Sequence, residues 1–270
     1  MWQSMDIHFV RLKSLGTIRA LRSALCRSGA SPSREEVHSL RKLIRRVETI
    51  LLVSGLSRNG TFPRLNNLAK IRGRAGAVRD MDELIKLVAA LPVDQEEECL
   101  FKILAVLTQK REQRVRKLHR AVVRYGSSTR RDLKILSELL EKDSFLCKQD
   151  RLGTKVSRTV PFEHVSSVSE QLAAWPQFRG NNLHAFRLRV RELRSALQLF
   201  DHDSDGLVKL LGKVKDAIGE WHDWTVLAST AANIGCAAHS DVMRKIQGTV
   251  KRKYGFARMS ANTMRKEILG

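Results

Sequence analysis

His38, Arg41 and Arg45 recur in kind and spacing as His184, Arg187 and Arg191, each set reading His-x-x-Arg-x-x-x-Arg after an aliphatic residue, Val37 or Leu183. At about 100° of turn per residue, positions 0, 3 and 7 fall within roughly 60° of one another on a helix. Each set is therefore a stripe of guanidinium groups led by an imidazole. Arg46 broadens the first stripe and Arg194 extends the second. Arginine offers a planar fork of donors that grips phosphate oxygens in pairs, and several forks in line suit a linear polyanion better than one small phosphate. The histidines are placed to donate to the same oxygens, and a bound anion favours their protonated form. Arginines three and four residues apart repel one another unless an anion offsets them. Glu48 and Glu192 are the nearby carboxylates. Solvated surface is the ordinary reading of one charge run, but two copies led by the same residue favour an anion site.

A second matched set follows each stripe. Lys70, Gly76 and Asp80 share their internal spacing with Lys213, Gly219 and Asp223. Two motifs repeated in the same order point to a duplicated helical bundle. More positive charge sits downstream, with Lys110, Arg111, Arg114, Lys117 and Arg120 near one face of a long helical stretch. Lys251, Arg252 and Lys253 occupy the corresponding place late in the second half.

Helices must position these residues. Ile7, Val10, Leu12, Leu15, Ile18, Leu21 and Leu25 recur at three- and four-residue steps in the first segment. A break at Ser28 to Pro32 precedes Ser33, and Glu36 three residues later completes a capping-box pattern for a helix running to about Gly55. Further helices are expected over about 64–91, 95–125 and 129–142, with Pro92 and the Gly126-Ser127-Ser128 run as breaks. After an irregular connector carrying a brief helix near 165–175, helices resume over about 180–200, 206–234 and 238–268. On the two stripe helices, Leu40, Ile44 and Val47, and Phe186, Val190 and Leu193, lie opposite the arginines and form the core faces. No stretch alternates with period two, so the fold class is all-α.

Composition agrees with this. The 270 residues carry a formal charge of +21, with 43% hydrophobic and 29% charged residues, which is a globular rather than a disordered balance. So large an excess of positive charge usually marks a polyanionic partner. No apolar run is long enough to span a bilayer, and the N-terminal segment lacks a secretory core and cleavage site. Cys26, Cys99, Cys147 and Cys236 are scattered without a CxxC pair and are expected to be buried or idle thiols in a reducing, cytoplasmic setting.

The residues that carry these patterns resemble the CHAD family, the conserved-histidine α-helical domain. The resemblance rests on Val37-His38-Ser39-Leu40-Arg41 through Arg45-Arg46, on Leu183-His184 through Arg187, Arg191 and Arg194, and on Gly76-Ala77-Val78-Arg79-Asp80-Met81-Asp82, which is similar to the family's LGxxRDxD segment. It covers nearly the whole chain from about residue 5. It implies two pseudo-symmetric four-helix bundles with a basic groove or cavity between them that binds inorganic polyphosphate. The expected halves are 5–142 and 163–270, joined by a connector at 143–162. His38, Arg41, Arg45, Arg46, Lys70, His184, Arg187, Arg191, Arg194 and Lys213 are the implied phosphate contacts, with Arg79, Arg111, Arg114 and Lys117 as supporting candidates. The chain departs from the family pattern at Glu48, where the family often has Arg, at Glu192 inside the second stripe, and at His222, which stands where the first half has Arg79.

Other motifs are set aside. Asp201 to Gly206 imitates the start of an EF-hand loop, but Gly212 stands where the bidentate Glu is needed. Gly212-Lys213 is followed by Val214 rather than the Ser or Thr of a P-loop. Asp80, Asp82 and Asp223 are expected to orient arginines or cap helices rather than hold a metal. Glu96-Glu97-Glu98 is not the ExExK strand of the triphosphatase domains sometimes fused to this family. The expectation is a binding module with no catalytic constellation and no cofactor, cytoplasmic and associated with polyphosphate granules. Sequence-nonspecific RNA or DNA binding is the alternative, although aromatic residues make up only 6% of the chain.

Overall fold

Local signals read along the chain act as physics requires. Ser33 caps the second helix: its hydroxyl accepts from the Glu36 amide at 3.1 Å, and the Glu36 carboxylate accepts from the Ser33 amide at 2.7 Å. Behind that cap Val37, Leu40, Ile44, Val47 and Ile50 recur at helical spacing, none more than 4% exposed. The computed structural model describes residues 7–54, 66–91, 97–142, 148–149, 155–156, 159–200, 205–237 and 240–269. Within them lie α1 (Ile7–Arg27), α2 (Arg34–Val53), α3 (Asn66–Ala89), α4 (Glu97–Glu141), α5 (Thr159–Ala173), α6 (Leu183–Phe200), α7 (Asp205–Asn233) and α8 (Asp241–Leu269). A two-residue antiparallel ladder, β1 (Lys148–Gln149) with β2 (Lys155–Val156), is the one piece of extended pairing among the described residues. The chain is all-α, as the spacing predicts. None of the helices, among the described residues, is long and apolar enough to cross a membrane.

Four helices fall in each expected half. In the first, α1 packs on α2 and α4, α2 on α3, and α3 on α4; in the second, α5 packs on α6 and α8, α6 on α7, and α7 on α8. Each half has a core among its own helices, one around Ile18, Leu21, Ile44 and Ile71, the other around Phe186, Val190, Leu211 and Ile218, and the first also takes in Ala196 and Leu199 of α6. A third core belongs to both halves. It joins Met81, Leu84, Ile103 and Leu107 of α3 and α4 to Leu227, Val242 and Ile246 of α7 and α8.

Several local expectations are corrected. The expected break at Gly126 is absent, and α4 runs unbroken for 45 residues. Its buried stripe, Leu118, Val122, Thr129, Leu133, Leu136 and Leu140, passes straight through that point. Burial of this stripe outweighs a glycine penalty of about 1 kcal/mol. Ser128 adds to the continuity by donating to the Tyr125 carbonyl at 3.0 Å while accepting from the Asn67 amide at 3.2 Å. Helix α5 begins at Thr159, inside the expected connector, with Pro161 in the first turn where proline costs little. Leu12, expected on the core face of α1, is 54% exposed.

The cysteines also differ from expectation. Cys99 and Cys236 form a disulfide, their Cα atoms 6.1 Å apart. Both pack against the shared third core, which brings the start of α4 to the segment after α7. Their sequence separation of 137 gave no hint of this meeting. Cys26 is exposed rather than buried. Cys147 and the EF-hand-like residues 201–204 lie outside the described residues.

A Cβ at Gly126 would meet only the Val122 side chain, at an ordinary 3.7 Å. Gly126→Ala is therefore expected to stabilise the protein by about 0.5–1 kcal/mol, read as a rise in the urea midpoint at constant slope. A loss of stability would mean that a break in α4 is needed there.

Candidate polyanion-binding site

Helix α2 packs on α3, α3 on α7, α7 on α6, and α6 on α2, so these four helices form a closed ring of contacts drawn from both halves. The buried faces of α2 and α6 point into their own bundles, which turns the two stripes toward the ring. Arg41 and Arg45 lie close enough to Arg187 and Arg191 for mutual repulsion to be felt. Burial, then Arg79, and also Arg191 and Arg187, push the Arg41 guanidinium down to about 10. Burial, then Arg41, Arg191 and Arg187, push Arg45 down to about 8. Burial also lowers Arg187 and Arg191. The Nε atoms of Arg41 and Arg45 are buried with no hydrogen-bond partner. Such an unmet buried donor costs about 1–3 kcal/mol.

Glycines on the facing helices make this crowding sterically possible. A Cβ on Gly76 of α3 would stand 3.4 Å from Arg41 Nε, and one on Gly219 of α7 would stand 2.7 Å from Arg187 Nη2. The same contact therefore occurs at matched positions of the two halves. Gly212, about two turns away on α7, receives Arg194 in the same manner at 3.2 Å. Arg187 Nε donates to the Lys215 carbonyl and Arg194 Nε to the Val208 carbonyl, both at 3.2 Å, which aims the two forks along α7. Gly76 and Gly219 stand out in the sequence as matched residues, but their role as seats for the guanidiniums was not legible there.

Matching extends to the histidines. His38 is lowered by desolvation first, then by the charges of Arg79, Lys42 and Arg41. His184 is lowered by desolvation, then by His222, whose ring centroid lies 5.0 Å away, and by Arg187. Arg79 and His222 thus occupy equivalent places beside the two leading histidines. Burial pushes the Asp223 carboxyl up to about 6 against the pull of Arg187 and Arg79. Asp80 supports the charge of Arg41, and Asp223 and Asp80 support that of Arg187. Among the described residues, no group of three or more His, Cys, Asp or Glu side chains could hold a metal ion.

Other expected contacts are committed elsewhere. Arg46 is exposed and acts on Lys13 of α1 rather than joining the stripe. The Lys70 ammonium lies over the Tyr125 ring of α4, 4.7 Å from its centroid. Arg111 donates to Asp82 at 2.6 Å, with Arg34 3.4 Å from the same oxygen, and Arg114 donates to the Ala77 carbonyl at 2.9 Å. These two arginines tie α4 to α3. Lys117 and Lys213 are exposed. Arg79 does belong to the ring, while also pairing with Glu83 at 3.4 Å.

One participant was missed. Arg72 of α3 pairs with Glu48 at 2.8 Å and repels Arg191. A usable signal existed, because Arg72, Gly76 and Arg79 stand at positions 0, 4 and 7, on one helix face. Glu48 is accordingly no gap in the stripe: its charge is answered by an arginine from the adjacent helix. Arg45, Arg72 and Arg191 are among the residues that line a cavity of about 860 Å³ between the halves.

Two outcomes follow for a polyanionic ligand. In Gly219→Ala the new Cβ displaces only the far end of Arg187, so stability holds or rises by up to about 1 kcal/mol while polyanion affinity falls severalfold. Parallel melting and titration measurements separate the two effects. Anion binding also restores the imidazolium forms of His38 and His184, and a bound pKa above the free one makes affinity rise as pH falls. Affinity for a long chain, whose interior phosphates do not titrate here, should strengthen from about pH 7.5 to about pH 5.5. Asp223, losing its charge through about 6, contributes with the same sign. His38→Gln with His184→Gln should flatten the profile, and weakening on acidification would overturn the assignment.

The CHAD domain model matches residues 13–232 of the chain. Among solved structures, the chain is similar to the CHAD domain from the plant Ricinus communis, with a TM-score of 0.66 at 15% identity over 97% of this chain and 89% of that one. It is also similar to PptA from Streptomyces chartreusis, with a TM-score of 0.57 at 15% identity over 98% of this chain and 99% of that one. No curated protein matches it. At such identities the structural likeness speaks for the fold alone. The sequence match takes in both His-Arg stripes and the Gly76–Asp82 segment that seats one of them, and on that ground the chain belongs to the CHAD domain family.

Proposed function

We propose that this protein binds inorganic polyphosphate, without catalysing a reaction on it, between the facing arginine stripes of α2 and α6. The observation that carries the reading is the concentration of Arg41, Arg45, Arg187 and Arg191 in one half-buried space, with the Arg41 and Arg45 Nε donors unmet. Like charges held together in this way destabilise the empty protein, and a flexible polyanion is the ligand class that relieves several of them at once. Phosphate fits the geometry because guanidinium forks from two helices address oxygens from opposite sides. The matched seats at Gly76 and Gly219 support a duplicated bundle with one stripe in each copy. Membership of the CHAD family agrees with a phosphate-chain ligand. A protein of this kind would travel with polyphosphate deposits in the cytoplasm.

Affinity driven by arginine and counterion release should fall steeply with salt, by about a thousandfold between 50 and 200 mM if some six phosphates are neutralised. Calorimetric titration with long-chain polyphosphate at both salt concentrations, with RNA of matched phosphate content alongside, tests this directly. Polyphosphate is expected to bind much more tightly than RNA. Equal binding of both would reduce the stripes to a generic basic surface and move nucleic acid to the front. Replacing Arg41, Arg45, Arg187 and Arg191 together by Gln should abolish binding and raise the melting temperature of the unliganded protein, because their mutual repulsion disappears. Helicity by circular dichroism checks that the variant is folded.

A further inference from the structure

The cavity of about 860 Å³ also has an apolar wall, formed by Leu52, Leu188, Trp175 and Pro176, that a phosphate chain does not use. Leu52 and Leu188 are 37% and 38% exposed, large apolar side chains left open on the two stripe helices themselves. Trp175 is held in place by an edge contact with Phe186, ring centroids 5.3 Å apart. A polyphosphate is polar along its whole length and gains nothing from such a surface. The lining also holds Glu48 and Glu192, each already paired with an arginine, Arg72 and Arg189 respectively, at 2.8 Å. Neutralised in this way, their carboxylates remain acceptors without repelling an anion.

Guanidiniums, paired carboxylates and large apolar side chains thus line one volume in the range of small-molecule sites. A nucleotide combines the complementary chemistries, as phosphates, hydroxylated sugar and planar base. We propose that this cavity binds a nucleoside polyphosphate, with its phosphates on Arg45 and Arg191, its sugar hydroxyls donating to Glu48 or Glu192, and its base against Leu52, Leu188 and Trp175. The proposal rests on the anion-binding reading of the stripes, because Arg45 and Arg191 serve both ligands. A nucleotide and a phosphate chain therefore compete for them.

Titration of the full chain with adenosine triphosphate and with inorganic triphosphate, which have equal numbers of phosphates, isolates the nucleoside part. The nucleotide is expected to bind about tenfold more tightly, the size of one base-to-aromatic contact, and to be displaced by long-chain polyphosphate. Leu52→Ser with Leu188→Ser, at two exposed positions, should remove that advantage and leave triphosphate binding unchanged. Trp175→Ala provides an independent variant of the same wall. Equal affinity for the two ligands, or an advantage that survives in both variants, overturns the nucleotide pocket and leaves the polyphosphate reading standing. Nucleotide binding that depends on the wall, with no binding of triphosphate or long chains, upholds the pocket and overturns polyphosphate as the ligand.

Discussion

Guanidinium groups from α2, α3 and α6 share a half-buried space in which each makes its neighbours harder to charge. That repulsion is the constraint on which the remaining architecture depends. An arginine whose ordinary pKa lies above 12 is pushed down to about 8 at Arg45 because water has been withdrawn and Arg41, Arg191 and Arg187 stand around it. Asp80, Asp223 and Glu48 offset only part of this locally, and burial pushes the Asp223 carboxyl itself up to about 6. The stabilising free energy has to come from elsewhere in the molecule.

It comes from packing at a distance. Each half buries its own core behind the stripe helices, and a third core fastens α3 and α4 to α7 and α8. The disulfide between Cys99 and Cys236 adds a covalent tie beside that third core. The halves are thus joined by this shared core, a sulfur bridge and the packing of Ala196 and Leu199 of α6 into the first core, while the charged faces meet in the ring. The charged ring is held together by supports that lie outside it. Glycine serves the same end at short range, since Gly212 and Gly219 let Arg194 and Arg187 approach α7 where any side chain would press against them, and Gly76 leaves Arg41 in ordinary contact with α3.

Periodic signals were legible in the sequence, and meetings of remote residues were not. The helices, the capping box of α2, the core faces of α2 and α6 and the repeated stripes all follow from spacing within one segment. Gly126 misled because glycine weakens a helix on its own, whereas the fate of α4 was decided by an apolar stripe running through the glycine. Arg111 and Arg114 read as free cations because their partners, Asp82 and the Ala77 carbonyl, lie on another helix. The disulfide was hidden for the same reason. Arg72 was the avoidable miss, as its spacing to Gly76 and Arg79 put it on the facing surface in plain view.

The matched seating of Arg41 on Gly76 and Arg187 on Gly219 has a consequence for how a ligand arrives. A chain of identical phosphates has no head or tail, and reversing it presents the same oxygens in the same order. A nucleic acid strand does have polarity, and so does a nucleotide. For the polyphosphate proposed as ligand, two equivalent sets of forks would accept an undirected chain either way round. The unlike outer positions, Glu48 with Arg72 in one half and Arg194 over Gly212 in the other, give that symmetry up.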